Sequence, residues 1–147
     1  MASRSKLNDD MFEMIKENMW EIYRLNKLFG GNNVEEREFE PFIRERLDSS
    51  KILRYDKKGL AGYITYHDFF EDRVEILHMA IRNNLRRTYG GVKMAISMID
   101  ELSKTTKGRP LIAWFLKVEH DIIDYARRLG FSFIGGNYYQ VCMRREV

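Results

Sequence analysis

Between Val74 and Leu102 the hydrophobic period of the chain changes once, and that junction limits what can surround it. Glu75-Ile-Leu-His-Met-Ala-Ile81 reads as an apolar, alternating strand, whereas Met94, Ala95, Met98, Ile99 and Leu102 recur on one face of an amphipathic helix. Arg86-Arg-Thr-Tyr-Gly-Gly91, a short basic loop with two glycines, joins them. Strand, loop and helix in this order turn several backbone N–H groups, a helix N-terminus and two guanidinium groups towards one point. Such a point is a seat for a phosphate or pyrophosphate.

A chain of 147 residues, 44% hydrophobic, builds one sizeable core, and 1–147 reads as a single domain. Within it, 1–50 is a helical N-terminal part and 51–147 the core. No run is long enough to span a bilayer. The first ten residues lack the apolar segment of a secretory signal. One cysteine, Cys142, allows no intramolecular disulfide. A cytoplasmic protein is expected on these grounds. The formal charge is only +3, so a local anion site is favoured over a nucleic-acid surface.

Met11, Met14, Ile15, Met19, Ile22 and Leu25 recur at helical spacing, and a second helical pattern covers Glu36 to Leu47. Ile52 to Tyr55, Leu60 to His67 and Val74 to Ile81 read as an antiparallel meander, with Asp56-Lys57-Lys58-Gly59 as hairpin turn. A helix over Gly90 to Leu102 follows. Pro110 to Val118 is nearly continuous in apolar residues, as a central strand beside a parallel partner is. Asp121 to Leu129 is helical, with Gly130 as C-cap. Phe131 to Ile134 and Tyr138 to Met143 form two strands around a Gly135-Gly136-Asn137 turn. The order ααβββαβαββ is a mixed α/β (α+β) arrangement, a mostly antiparallel sheet flanked by helices.

Three segments together resemble the GNAT superfamily of acyl-CoA-dependent N-acyltransferases. Glu75 to Ile81 is similar to the family's fourth strand. Arg86 to Gly91 resembles its pyrophosphate loop, Gln/Arg-x-x-Gly-x-Gly/Ala. Asp124-Tyr-Ala-Arg-Arg-Leu-Gly-Phe131 resembles the late helix that ends in Leu-Gly-Phe. The resemblance runs from Ile52 to the C-terminus and implies acetyl-CoA as acyl donor and an amine as acceptor. It implies coenzyme contacts at Arg86, Arg87, Thr88, Tyr89, Gly90 and Gly91. Main-chain groups near Met79, Ala80, Ile81 and Arg82 would meet the pantetheine arm, inserted between two strands that splay apart.

Glu75 stands where histone-acetyltransferase-like members carry a general base. The alternative for Glu75 is a solvent-facing glutamate beside Arg73. The family's general-acid tyrosine corresponds to Ala126, with Tyr125 adjacent as candidate donor; Tyr138 and Tyr139 are others. Tyr89 replaces a loop glycine, and the asparagine that commonly precedes the late helix is absent. Strand alternation sets His78 on the face opposite Glu75, where a packing histidine is expected. The three histidines have no metal-ligand spacing, and no metal is expected.

Two functions follow. The first is an N-acyltransferase acting by direct attack of a small-molecule or protein amine on the thioester. The second is a degenerate GNAT-like binding or structural protein of the kind found in phages, or a nucleic-acid-modifying relative. A homodimer is compatible with either.

Overall fold

The computed structural model describes residues 13–14, 41, 50–85, 88–117, 120–138 and 140–146. The two N-terminal helical patterns lie outside them, except for 13–14 and Pro41, which are helical. Numbered among the described residues, the elements are β1 (Lys51–Asp56), β2 (Leu60–His67), β3 (Val74–Ile81), α1 (Tyr89–Thr105), β4 (Leu111–Leu116), α2 (His120–Arg128), β5 (Ser132–Gly136) and β6 (Gln140–Arg145). A short 3-10 turn, Asn83–Leu85, follows β3. The six strands form one sheet in the order β1-β2-β3-β4-β6-β5. Only β3 and β4 run parallel, joined by the α1 crossover; all other neighbours are antiparallel.

The β1–β2 hairpin turns where Lys58 and Gly59 adopt φ of +53° and +95°. The second conformation is one that glycine takes without steric cost. β2 is buried from Leu60 through Tyr66, because both its faces are covered. In β2–β3 the partners are Ile64↔Met79 and Thr65↔His78, then Tyr66↔Ile76 and His67↔Glu75. One step along β2 answers two along β3, which makes Leu77 the extra residue of a β-bulge. Val74, Ile76, Met79 and Ile81 therefore all face the α1 core. Glu75 and His78 share the other face. This corrects the expectation that His78 opposes Glu75: alternation holds only while pairing stays one-to-one.

α1 buries Met94, Ala95, Met98, Ile99 and Leu102, the face that its period marks. The glycines of its first turn cost about 1 kcal/mol each relative to alanine. The packed stripe, at roughly 1.5–3 kcal/mol per buried side chain, outweighs them. Ile64, Val74, Leu111, Ala113 and Met143 of the sheet meet this stripe, α2 adds Ile123 and Ala126, and the turn after it adds Leu129. At the end of α2, Gly130 has φ +97°, and Phe131 N–H donates to Ala126 O (3.0 Å). This is a glycine C-cap that carries Phe131 into the core.

The last hairpin differs from expectation. Gly135 and Gly136 belong to β5, and the reversal lies beyond them. Asn137 Oδ1 accepts from Gln140 N–H (2.8 Å), and Asn137 N–H donates to Gln140 O (2.9 Å), so an asparagine side chain makes the turn. A Cβ on Gly136 would come within 2.5 Å of Gln140 O; this glycine permits strand contact rather than a bend. Among the described residues, no helix is long and apolar enough to cross a membrane.

Candidate active site

β3 and β4 pair only at Val74↔Leu111 and Glu75↔Ile112, beside a bond from Val74 N–H to Pro110 O (2.9 Å). Residues 76–81 of β3 and 113–116 of β4 have no mutual pairing, while β2 holds β3 and β6 holds β4 along these stretches. The strands part into a slot. The Leu77 bulge lies just past the last pair, where a bulge bends a strand and raises its twist. Glu75 stands at the apex of the slot and α1 begins beyond its open end.

Hydrogen bonds decide which main-chain groups face the slot. Arg82 N–H donates to Ala61 O (2.8 Å), and Thr65 Oγ1 reaches His78 O at 3.5 Å. Both point at β2. Alternation between them turns the N–H and C=O of Met79 to the slot, and those of Ala80 to β2. The Arg82 guanidinium is turned to the β1–β2 hairpin, donating to Lys57 O and Lys58 O (3.3 and 3.4 Å).

Thr88 is the N-cap of α1. Its Oγ1 accepts from Gly91 N–H (2.9 Å) and donates to Leu85 O (2.7 Å), and Thr88 N–H donates to Leu85 O at 3.3 Å. Val92 N–H makes the first intrahelical bond, to Thr88 O (3.1 Å). The N–H groups of Tyr89 and Gly90 have no acceptor among the described residues, and they stand at the positive end of the helix dipole. Two donors of the expected loop are thus available, and one is engaged in capping.

The two glycines differ. A Cβ on Gly91 would stand 1.9 Å from Leu85 O, whereas one on Gly90 would have only Thr88 Oγ1 at 4.0 Å. Gly91 lets the helix pack on the preceding turn; Gly90 leaves the space before the free amides open. Tyr89, at the family's glycine position, takes no positive φ. It opens the helix with ordinary backbone, its ring exposed and Lys93 Nζ 5.0 Å from the ring centroid. Arg86 and Arg87 lie outside the described residues.

Glu75 is held by Arg73, whose Nε lies 3.1 Å from Oε1. The same guanidinium meets Asp72 at 2.9 Å and lies 3.8 Å over the Phe70 ring centroid. Its hydrogen bond to Glu75 raises the arginine further above its usual range; desolvation opposes this, and Asp72 and the Glu75 charge add to the rise. On the same face, the His78 ring lies 5.5 Å from that of Tyr63. Cys142 is buried, and burial first and the Glu75 carboxylate second push its thiol up. It is therefore a poor nucleophile. Tyr125 packs against the core from α2, on the α1 side of the sheet, and desolvation raises its hydroxyl. It holds its proton at neutral pH. Ala126 is buried and its carbonyl caps the helix end.

Two features had no clear signal in the sequence. Arg109 donates to Asp68 O (2.7 Å), Phe70 O and Thr106 O (3.0 Å), pinning the loop before β3 to the end of α1. Its partners are carbonyls, which no residue type announces. Trp114 sits mid-strand in β4 yet is half exposed, where the sequence reads it as a core or groove-lining aromatic without deciding which.

No protein-family model matches the chain, and no curated protein matches it in sequence. Solved structures do match. Aminoglycoside 6'-acetyltransferase type Ii aligns with a TM-score of 0.71 at 12% identity, over 99% of this chain and 94% of that one. The Campylobacter jejuni N-acetyltransferase PseH, in complex with acetyl coenzyme A, aligns at 0.63 and 15%, over 99% and 96%. A GNAT family acetyltransferase from Elizabethkingia anophelis with acetyl-CoA bound aligns at 0.61 and 10%, over 80% and 94%. At these identities the likeness is one of architecture, and the chain has the GNAT fold.

Proposed function

We propose that the protein is an N-acetyltransferase that takes its acetyl group from acetyl-CoA and delivers it to an amine by direct attack. The parting of β3 and β4 after Glu75↔Ile112, together with Tyr89 and Gly90 amides that have no acceptor among the described residues at the start of the helix after β3, carries this reading. The two amides and the helix dipole bind the diphosphate, and Met79 main-chain groups receive the amide arm as a neighbouring strand would. Arg86 and Arg87 add charge on the same loop. Acetyl-CoA supplies an activated thioester. Glu75 takes the proton from the acceptor ammonium, directly or through one water, and Arg73 fixes the orientation of its carboxylate. The Tyr125 hydroxyl is the candidate donor to the departing thiolate, approaching from the α2 side while Glu75 works from the other. The acceptor is a small-molecule or protein amine. One buried free cysteine suits a reducing, cytoplasmic setting.

Isothermal titration with acetyl-CoA and CoA tests the reading. Binding of both, abolished in Gly90→Asp, is expected. No binding of either would leave a GNAT-fold binding or structural protein, and salt-sensitive DNA binding would then favour nucleic-acid modification.

A further inference from the structure

Trp114 is out of keeping with its surroundings. Its strand neighbours Ile112 and Ala113 and its cross-strand partner Cys142 are 7%, 5% and 6% exposed, yet Trp114 itself is 49% exposed. Leu111 and Ala113 face the α1 core, so Ile112 and Trp114 face the other way. Ile112 is the register partner of Glu75. Trp114 therefore stands one place further along the Glu75 face, on the flank of β4 that β3 has left. Its indole is bared at the edge of the slot, beside the apex. Glu75 and Trp114 thus flank Ile112 on one face, Glu75 as its partner across the β3–β4 pair and Trp114 two residues further along β4.

Among the described residues, the charges on this face leave a negative excess. Arg73 lies between Asp72 and Glu75. Arg144, partner of Ile112 in the row, is paired with Glu146. Arg54, on the same face through its pairing with Tyr63, is matched by Asp56, so among the described residues four carboxylates answer three guanidinium groups. An indole face is the strongest aromatic partner for a cation, and a carboxylate nearby complements the same charge.

We propose that Trp114 is the acceptor-selecting wall of the site, taking the alkylammonium group of a cationic amine between its indole face and the Glu75 side of the slot. The inference rests on the acetyltransferase reading for its role in turnover, but the recognition of the cation stands by itself. Acceptors with a second ammonium group are favoured, and acceptors with a carboxylate beside the amine are disfavoured.

The test uses full-length protein labelled with 5-fluorotryptophan. The chain has two tryptophans, and loss of one 19F signal in Trp114→Phe, or in Trp114→Tyr if the first misfolds, assigns Trp114. Choline and 1,4-diaminobutane should shift that signal saturably, and 3,3-dimethylbutanol, the uncharged isostere of choline, should not. In acetyl transfer to diaminobutane, Trp114→Leu should raise KM roughly 3- to 30-fold, the span of a cation–aromatic contact. Its kcat and acetyl-CoA affinity should stay within about twofold. Equal shifts with the neutral isostere, or none with either cation, overturn the proposal. Failure to bind acetyl-CoA overturns the acetyltransferase reading instead, and the fluorine titration still decides the cation site.

Discussion

Glu75 and His78 face the same side of the sheet, although strict alternation would separate them, because Leu77 is inserted between their pairing positions. The insertion also sits where β3 leaves β4. One residue thus turns β3 away from its parallel neighbour and keeps Val74, Ile76, Met79 and Ile81 on the core side. Most of the site follows from that arrangement.

Deleting Leu77 restores one-to-one pairing with β2 and leaves Glu75, Ile76, His78 and Met79 on their present faces. The core is conserved, so the melting temperature should change by no more than about 2–4 °C, the equivalent of ~1 kcal/mol. Acetyl-CoA affinity should fall by more than about tenfold, or ~1.4 kcal/mol, as the slot closes. Calorimetry on the variant checks both, and an undiminished affinity would show that the slot does not depend on the bulge.

The adjacent glycines should respond in opposite ways. Gly91→Ala forces a Cβ against Leu85 O and should destabilise by about 3 kcal/mol, the upper range for overpacking. Gly90→Asp meets open space and places a carboxylate at a helix N-terminus. It should hold or raise stability by roughly 0.3–1 kcal/mol while repelling a diphosphate. Thermal melts beside acetyl-CoA titrations would separate the two. A stable Gly91→Ala protein would contradict the close approach.

Glu75→Gln keeps an oxygen for Arg73 Nε and loses the basic carboxylate. Because the pair is partly solvated, stability should change by less than about 1 kcal/mol. Turnover should fall roughly 10²- to 10⁴-fold with acetyl-CoA affinity retained. An unchanged pH–rate profile in this variant removes Glu75 from proton transfer.

Alkaline pH should destabilise the fold. Burial raises the Tyr66 and Tyr125 hydroxyls, with Asp68 adding to the former and Lys51 partly offsetting it; burial and then Glu75 raise the Cys142 thiol. Each group holds its proton more tightly folded than unfolded. Its contribution is therefore complete below the unfolded pKa, about 8.5 for cysteine and 10 for tyrosine, and is lost as pH rises past the folded value. Melting temperature should decline from about pH 8.5 upwards, and Cys142→Ala should blunt the first part. A flat profile to pH 11 would refute this.

The strands β1 to β3, the helix after Gly90 and the Gly130 cap were legible in the sequence. Each rests on contacts within a few residues: a period, a turn pair, a glycine after the last helical turn. The Gly135-Gly136 turn was misplaced because glycine marks both bends and close strand contacts, and only the neighbouring backbone of Gln140 distinguishes them. His78 was misplaced because a bulge is a relation between two strands, and one strand read alone shows only alternation.

The chain by itself determined where periods change, which residues can cap, and that a basic glycine loop enters an amphipathic helix, since these are local matters of sterics and solvation. Tertiary structure alone decided that β4 lies between β3 and β6, that β3 and β4 part beyond Glu75, and that Trp114 is bared beside the opening. Those features depend on pairings between residues far apart in sequence, whose register is set by the packing of the whole sheet.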